Sequence, residues 1–441
     1  MGKWTRGAAL GIALLALSGC GIFRGGNKAR TPVVGERVPI LVTENELTAD
    51  ASIADVGVLL PPAAENPTWT QPGGNAAKSM GHLALGTSLS QAWRADIPGG
   101  TTRVRLAASP AVADGRLYVM DTEGVVHALA ADTGARVWDT ATAKTEENQR
   151  SFFGGGVSFD NGRVFATNGV GDVVAMDAAT GAEVWRSKPG GPLRGAPTIA
   201  NGNVFVQSQD NQLFALGQED GKVAWTQSAT LETQGVFGVA APAVAQGTVI
   251  AGFSSGELNA YRYENGRTLW QDTLSRTSIS TTVGSLSDID AEPVIDSGRV
   301  FAVGQGGRMV ALELVSGQRL WEINLGGIST PWIAGEWLFV VTDEAKLICI
   351  ARGSGRIRWI SQLRRFRDVK DRKGPINWVG PVLAGGRLIA LNSRGEIVSA
   401  SPETGEVSTT VEGGKTFTLP PVVAGGMLYT LDDSGRLTAW R

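Results

Sequence analysis

From residue 90 to its end, the chain alternates short apolar runs with turns that contain glycine. The first complete set has four runs, at residues 110–113, 116–121, 125–130 and 135–139. Asp114 and Gly115 separate the first two runs, and further glycines separate the others. Runs of this length between such turns predict β-hairpins, because Asp-Gly adopts the backbone twist of a tight hairpin. Each set therefore predicts four short antiparallel strands.

A tryptophan recurs in these sets, four residues after a glycine. The copies that end in this tryptophan occupy residues 128–138, 175–185, 215–225, 260–270, 311–321 and 349–359. Successive tryptophans are 47, 40, 45, 51 and 38 residues apart, which is a repeat length typical of propellers and solenoids. A seventh copy, residues 399–409, has Thr409 in the tryptophan position. Four short antiparallel strands per repeat predict the blade of a β-propeller.

The two ends of the repeat region predict how the ring closes. The last repeat, residues 420–441, contains three strands, whereas residues 91–97 form a lone strand with Trp93 in the repeated position. Pairing that strand with the last three removes the open edges of the ring. We therefore predict an all-β fold, an eight-bladed β-propeller of four-stranded antiparallel blades, in which an N-terminal strand completes the last blade.

The repeated tryptophans could belong to a cofactor site or to the packing between blades. One indole per repeat at one structural position is what packing between blades requires, because each ring fills the gap beside the next blade. We assign this structural role to Trp93, Trp138, Trp185, Trp225, Trp270, Trp321 and Trp359. Trp332, Trp337 and Trp378 lie outside the register, and the sequence leaves open whether they are exposed binding aromatics or additional core.

The first 20 residues have the organisation of a bacterial export signal. Lys3 and Arg6 precede an apolar run, residues 7–17, which is too short to remain as a membrane-spanning helix. The run ends in Leu-Ser-Gly-Cys, which resembles the lipobox of bacterial lipoproteins. The resemblance implies cleavage after residue 19 and a lipid anchor on Cys20. The same resemblance implies that Gly21, next to the lipid-bearing Cys20, favours attachment to the outer membrane, with the protein facing the periplasm.

Residues 20–75 are rich in proline, glycine and polar residues and lack a sustained period. Such composition is typical of an extended linker. We therefore predict a signal peptide over 1–19, a lipid-anchored flexible tether over 20–75 and a propeller over 76–441. Within the tether, apolar positions at loosely helical spacing over residues 45–60 indicate a short helix.

Composition excludes several classes of protein. The chain has 40 Lys and Arg against 42 Asp and Glu, whereas nucleic-acid binding needs an excess of cations. Two cysteines are too few for a disulfide framework or a cysteine-rich zinc module, and two histidines leave little room for a histidine metal centre. We expect no metal and no cofactor other than the lipid on Cys20.

The repeat, with alanine at its start, a Thr-Gly or Asp-Gly turn and the tryptophan, resembles the repeats of pyrroloquinoline quinone (PQQ) dehydrogenases over residues 91–441. This resemblance implies a fold that hosts several functions. Those enzymes carry adjacent cysteines over the cofactor, which this chain lacks, and Cys349 lies in an apolar strand as a small hydrophobe. We therefore expect no enzymatic activity. A periplasmic PQQ-dependent oxidoreductase and a glycan-binding propeller are the alternatives.

A lipobox, a tether and eight such blades together are similar to the BamB family, the outer-membrane lipoproteins of the β-barrel assembly machinery. The resemblance implies a non-catalytic scaffold that binds the POTRA domains of BamA and aids the insertion of β-barrel proteins. Unfolded outer-membrane protein precursors are a further expected partner, because their strands can add to an exposed sheet edge.

The most specific match lies in a long loop between repeats, residues 273–291. Leu286, Asp288 and Asp290, followed by Pro293, are similar to an L-S-D-V-D stretch of the BamB family whose aspartates belong to the BamA-binding surface. The resemblance implies partner binding by these residues. Capping of a local turn is the alternative for the two aspartates.

A neighbouring loop, residues 228–240, is where the family contributes Leu, Leu and Arg before a glycine. The aligned residues here are Gln234, Val236, Phe237 and Gly238. The arginine is absent, so a different partner residue is expected opposite Phe237. Both loops run from the tryptophan strand of one repeat to the first strand of the next, which predicts that they lie on one face. Their aspartates can accept charge-assisted hydrogen bonds from a partner's cations.

A basic segment, residues 356–373, has eight cationic residues against two aspartates. Such a run is typical of a solvated loop, but it also suits contact with acidic partners or anionic lipid headgroups. The sequence leaves both interpretations open.

Overall fold

The computed structural model describes residues 47–101, 104–143, 154–231, 238–274, 288–305 and 307–441. These residues form 34 strands and one short 3₁₀ helix, Ala51–Ile53. The strands build eight four-stranded antiparallel sheets and one separate hairpin. The predicted eight-bladed all-β propeller is confirmed.

Blades 1 to 7 follow one another along the chain, each with its strands in sequence order. Blade 1 has β2 (Ala111–Ala113), β3 (Arg116–Met120), β4 (Val125–Ala130) and β5 (Arg136–Ala141). Blade 2 has β6 (Gly155–Asp160), β7 (Arg163–Asn168), β8 (Val173–Asp177) and β9 (Glu183–Ser187). Blade 3 has β10 (Thr198–Ala200), β11 (Asn203–Gln207), β12 (Gln212–Gly217) and β13 (Val223–Ser228). Blade 4 has β14 (Ala243–Ala245), β15 (Thr248–Gly252), β16 (Glu257–Arg262) and β17 (Thr268–Thr273).

Blades 5 to 8 complete the ring. Blade 5 has β18 (Val294–Asp296), β19 (Arg299–Gly304), β20 (Arg308–Glu313) and β21 (Arg319–Ile323). Blade 6 has β22 (Trp332–Ala334), β23 (Trp337–Val341), β24 (Lys346–Ala351) and β25 (Ile357–Gln362), and the hairpin β26 (Phe366–Asp368) and β27 (Lys373–Pro375) follows it. Blade 7 has β28 (Trp378–Ala384), β29 (Arg387–Asn392), β30 (Glu396–Ala400) and β31 (Val407–Glu412). Blade 8 has β32 (Val422–Ala424), β33 (Met427–Leu431), β34 (Arg436–Trp440) and, as its outer strand, β1 (Gln91–Asp96), which pairs with β34.

The direction of the strands gives the ring two distinct faces. Within an antiparallel blade, the turns between first and second strands lie at one end, which we name the turn face. The connections from one blade to the next lie at the opposite end, which we name the loop face. First strands of neighbouring blades contact one another, as β2 does with β6. The first strands therefore line the axis, and the fourth strands form the outer rim.

Each repeated tryptophan lies between two blades. Its indole Nε1 donates to a carbonyl of the following blade, as Trp225 does to Tyr263 O at 2.8 Å and Trp270 to Leu314 O at 2.8 Å. The same bond is made by Trp93, Trp138, Trp185, Trp321 and Trp359. Buried indole N–H groups need such an acceptor, so the repeat links the blades by packing and by a hydrogen bond.

Residues 47–90 lie against the propeller. Asp50 N donates to Ile357 O in β25 at 2.8 Å, and Val58 N donates to the Glu403 carboxylate at 2.8 Å. The expected flexible tether over residues 20–75 is therefore wrong for 47–75, because burial of apolar side chains such as Trp69 offsets the entropy of ordering the chain. The helix expected over 45–60 is reduced, among its described residues, to the single 3₁₀ turn.

Residues 64–84, which we name the collar, circle the axis once at the turn face. The collar hydrogen-bonds to every blade in ring order. The bonded pairs are Asn66 with Val423 of blade 8, Trp69 with Val112 of blade 1, Thr70 with Phe159 of blade 2, Gln71 with Ile199 of blade 3, Ala76 with Val244 of blade 4, Ala77 with Ile295 of blade 5, Gly81 with Trp332 of blade 6 and Leu83 with Leu383 of blade 7. Ala64 N donates to His82 O at 2.9 Å, which closes the circle.

Aromatic and polar side chains fill the axis inside the collar. The rings of Trp69 and Trp332 stack at 6.2 Å with an interplanar angle of 14°. Lys78 of the collar is also buried and donates to Thr198 Oγ1 at 3.1 Å, and burial lowers its pKa to about 8, opposed by the Glu292 charge. Trp332, Trp337 and Trp378 are all buried, so they belong to the core.

Candidate partner-binding site

Three connections between blades meet on the loop face. They run from β9 to β10, from β13 to β14 and from β17 to β18, and they carry Arg194, Gly238, Asp288 and Asp290. Each connection joins an outer strand to the next innermost strand, which brings all three to the same end of the ring. Rigid blades therefore hold these loop residues from both sides.

Arg194 joins the two aspartates. Its Nη2 lies 3.0 Å from Asp288 Oδ1 and 3.0 Å from Asp290 Oδ1. The side chain of Arg194 is 0% exposed, and those of Asp288 and Asp290 are 1% and 11% exposed. Arg194 N donates to Gln207 O at 2.8 Å, and Gln305 N donates to Asp288 O at 2.8 Å. Backbone bonds to blades 3 and 5 thus fix both ends of this charge pair.

Gly238 packs directly on the charge cluster. A Cβ at this position would overlap Arg194 Nη2 and Asp290 Oδ1, so only glycine leaves room for the ion pair. Gln209 Nε2 donates to Gly238 O at 3.2 Å. The glycine of the second predicted loop therefore belongs to the same cluster as the aspartates of the first.

The cluster has more negative than positive charge. Burial and then the Asp288 charge raise the pKa of Asp290 to about 6, although Arg194 lowers it. Burial also raises the pKa of Asp288 against the influence of Arg194. Among the described residues, Arg194 Nε and Nη1 and Asp288 Oδ2 have no hydrogen-bond partner. Buried polar atoms of this kind are expensive unless they gain partners, so the cluster is suited to polar contacts beyond those that the described chain supplies.

This geometry bears on the two roles expected for Asp288, contact with a partner and capping of a local turn. Direct contact between Asp288 and a partner does not fit, because its side chain is buried and its Oδ1 is occupied by Arg194 of the same chain. The bond between Asp288 and Arg194 is not local turn capping, since the bonded residues are 94 positions apart. Asp288 instead positions the loops, whereas Asp290 reaches the surface.

Sequence reasoning missed Arg194. The arginine expected before Gly238 is absent, but the chain has an arginine before a glycine one blade earlier, at Arg194 and Gly195. The available signal was this Arg-Gly pair in the preceding inter-blade connection. Arg194 of the same chain is the cation that pairs with the two aspartates.

Several predicted residues lie outside the described ones. They are Cys20, Gln234, Val236, Phe237 and Leu286, whose roles stay predictions. Within the described ranges, no group of three or more His, Cys, Asp or Glu side chains could hold a metal ion. In the same part of the chain, no helix has the length and apolar character to cross a membrane. Cys349 is buried in β24, and burial raises the pKa of its thiol.

Comparisons with known proteins agree with this architecture. A family model described as outer membrane protein assembly factor BamB matches residues 77–152 and 122–361. The chain is 27% identical over 358 residues to outer membrane protein assembly factor BamB of Yersinia pestis, across 80% of this chain and 89% of that protein.

Solved structures share the fold. The crystal structure of BamB from Moraxella catarrhalis matches with a TM-score of 0.68 and 17% identity, over 80% of this chain and 100% of that one. Quinohemoprotein alcohol dehydrogenase from Comamonas testosteroni matches with a TM-score of 0.66 and 15% identity, over 86% of this chain and 81% of that one. At these identities the two likenesses show the fold alone.

The blades and the loop-face cluster define a β-propeller built from PQQ-type repeats, with a charged site on its loop face. Within that class, the family model spans more than half of the sequence. The chain belongs to the BamB family of outer membrane protein assembly factors.

Proposed function

We propose that this protein is a non-catalytic scaffold lipoprotein of the outer-membrane β-barrel assembly complex. It binds the POTRA domains of BamA and aids the insertion of β-barrel proteins into the outer membrane. The observation that carries the proposal is the Arg194 ion pair with Asp288 and Asp290, which ties together connections from separate blades on one face in a member of this family.

The cluster supports binding because it joins Arg194, Asp288 and Asp290 of separate connections in a fixed arrangement. Preorganised loops lose less freedom when a partner binds, which favours affinity. The predicted contact residues Leu286, Gln234, Val236 and Phe237 belong to the two connections that contain Asp288 and Gly238. Asp290, at 11% exposure, is the described carboxylate that a partner cation can approach.

The collar favours a scaffold function rather than an oxidoreductase function. It hydrogen-bonds to all eight blades at the turn face, through its backbone and the Gln71 side chain, and Trp69 stacks on Trp332. A ring filled in this way leaves its loops and rim as binding surfaces. The rim also suits unfolded precursors, since outer strands β5, β9, β17 and β21 expose one apolar residue each, Val137, Val184, Leu269 and Leu320.

A titration of the chain from residue 21 against the periplasmic domain of the cognate BamA tests the proposal. We expect saturable binding that Asp290→Asn weakens about tenfold, which corresponds to about 1.4 kcal/mol, without lowering the melting temperature. Asp272→Asn is the matched control, because Arg319 joins Asp272 and Glu322 on the outer rim in the same three-charge arrangement.

Two outcomes would count against the proposal. Absence of binding at high micromolar concentration removes BamA as a direct partner. Equal weakening by Asp290→Asn and Asp272→Asn removes the loop cluster as its site.

A further inference from the structure

The hairpin β26–β27 carries an excess of positive charge that the loop cluster does not use. Residues 364–373 contain six cationic residues and two aspartates. Asp371 is occupied by Lys373 at 3.0 Å, and Asp368 accepts from Asp371 N at 3.0 Å. Among the described residues, no ion pair reaches Arg367, Lys370 or Arg372. The excess cations of this hairpin are exposed and available to a partner.

Two other elements add cations beside the hairpin. Arg367 of β26, Arg394 of the turn between β29 and β30, and Lys415 of the connection to blade 8 line one open cavity of about 410 Å³ together with Ser393 and Thr416. Arg394 Nε contacts Glu396 at 3.1 Å, and Lys415 has no ion pair with a described residue. Three cations that converge from separate elements repel one another unless an anion lies between them. Guanidinium, ammonium and hydroxyl donors around one cavity are the groups that bind phosphate oxygens.

The tip of the hairpin is apolar as well as basic. Val369 is 69% exposed and lies between Asp368 and Lys370, with Arg372 and Lys373 close behind. An exposed apolar side chain among cations is typical of elements that rest on a lipid surface, where the cations reach headgroup phosphates and the apolar group enters the interface.

The hairpin and the first described residues of the chain lie at opposite ends of one strand, β25. The described chain begins at Leu47, and Asp50 bonds to Ile357 at the start of β25. The hairpin follows the other end of β25. The outer strand of blade 6 therefore carries the incoming N-terminal segment at one end and the basic hairpin at the other.

We propose that the hairpin β26–β27 and the adjoining cavity bind the phosphate groups of anionic lipid headgroups, so that the loop face at blades 6 and 7 rests on a membrane surface. A polybasic patch adds electrostatic attraction to anionic lipids and so strengthens the membrane attachment of a protein. This proposal does not depend on binding to BamA.

Vesicle flotation of the chain from residue 21 tests the proposal. This form retains every described residue and omits Cys20. Vesicles of phosphatidylcholine with phosphatidylglycerol are compared with phosphatidylcholine alone. The test variant is Arg367→Gln, Lys370→Gln and Arg372→Gln together. The matched control is Lys222→Gln, Arg262→Gln and Arg267→Gln, which removes the same charge from exposed turns of blades 3 and 4.

We expect binding that requires phosphatidylglycerol, falls with salt, and is weakened about tenfold or more in the hairpin variant but little in the control. Binding without dependence on phosphatidylglycerol, or equal loss in both triple variants, would overturn the proposal. If calorimetry detects binding of inorganic phosphate but the protein does not bind vesicles, lipid headgroups are not the ligand and the cavity is a site for free phosphate. Loss of BamA binding in the hairpin variant, with vesicle binding unchanged, would make the surface a protein contact instead.

Discussion

The indole of Trp185 lies against Gly221 of the following blade, where the Cβ of any other residue would overlap the ring. The same pairing of a tryptophan with the turn glycine of the next repeat occurs at seven junctions. The glycines paired with Trp93, Trp138, Trp185, Trp225, Trp270, Trp321 and Trp359 are Gly134, Gly181, Gly221, Gly266, Gly317, Gly355 and Gly405. The tryptophan and the turn glycine, the two most regular residues of the repeat, thus form one interface between blades. The two residues of each pair come from different repeats.

Substitution of Gly221 separates this packing from backbone strain. Gly221 has a φ of 67° and lies under Trp185, whereas Gly202 has a φ of 74° and nothing within 4 Å of its Cβ position. We expect Gly202→Ala to lower the free energy of unfolding by about 1 kcal/mol through strain alone. Gly221→Ala should cost about 1–3 kcal/mol more, because it also overpacks the interface. Urea unfolding midpoints measure both, and equal losses would contradict the role assigned to the glycine.

Removal of an inter-blade indole should destabilise the ring. Trp225→Ala leaves a cavity between blades 3 and 4 and deprives Tyr263 O of its donor, so we expect a loss of about 3–5 kcal/mol in the free energy of unfolding. Val223→Ala on the same strand is the control, because its side chain is exposed and should change stability by less than about 0.5 kcal/mol. Similar losses for the two variants would show that the indole does not hold the blades together.

The collar should contribute to the stability of the whole ring. Trp69→Ala removes the stack on Trp332, and we expect a loss of about 3–5 kcal/mol. Leu59→Ala lies in the same N-terminal segment, but its side chain is exposed, so its effect should stay within about 0.5 kcal/mol. Thermal unfolding followed by tryptophan fluorescence measures both variants. A melting temperature unchanged by Trp69→Ala would mean that the collar is dispensable for the fold.

His127 should make stability depend on pH. Its Nε2 lies 2.8 Å from Asp121 Oδ2 and its Nδ1 2.6 Å from Asp139 Oδ1, so both ring nitrogens donate only in the imidazolium form. Burial lowers the pKa of His127, but the hydrogen bonds and charges of the two aspartates outweigh burial and raise the pKa above its usual 6.5. The stabilisation is therefore complete below that value and is lost as pH rises through the higher folded pKa.

The comparison with His127→Gln tests this dependence. The advantage of the unmodified protein over the variant, measured by urea midpoints, should be largest in mildly acidic buffer and shrink towards alkaline pH. An advantage that stays constant across this range would exclude a charged His127 in the folded protein.

Unlike a usual surface carboxylate, Asp290 should make the folded protein less stable as pH rises. Burial and the Asp288 charge raise the pKa of Asp290 from 3.8 to about 6, so the folded state favours the neutral acid. The unmodified protein should lose stability relative to Asp290→Asn as pH rises through that window, because the unfolded chain ionises first. Urea unfolding at both ends of the window measures the difference. A gain for the unmodified protein with rising pH would mean that Arg194 outweighs burial.

The candidate site was partly predictable from sequence. Asp288, Asp290 and Gly238 do meet in one cluster, because their loops share a position in the repeat and hence a face of the ring. The burial of Asp288 was not predictable, since it depends on Arg194, which lies 94 positions away. The Arg194-Gly195 pair was visible in the sequence, but no local pattern shows that this arginine reaches aspartates two connections further along the chain.

The sequence by itself determined the blades, their number and the closure of the ring. The apolar alternation, the turn glycines and the repeated tryptophan each act over a few residues, so the sequence pattern predicts the blades directly. The unequal ends of the repeat region likewise predict the closure of the ring, in which β1 pairs with β34. Only the tertiary structure decided the course of residues 47–90 and the partner of the loop aspartates. The collar has no periodicity, because its successive contacts are with different blades, and contacts of that kind are set by the curvature of the finished ring.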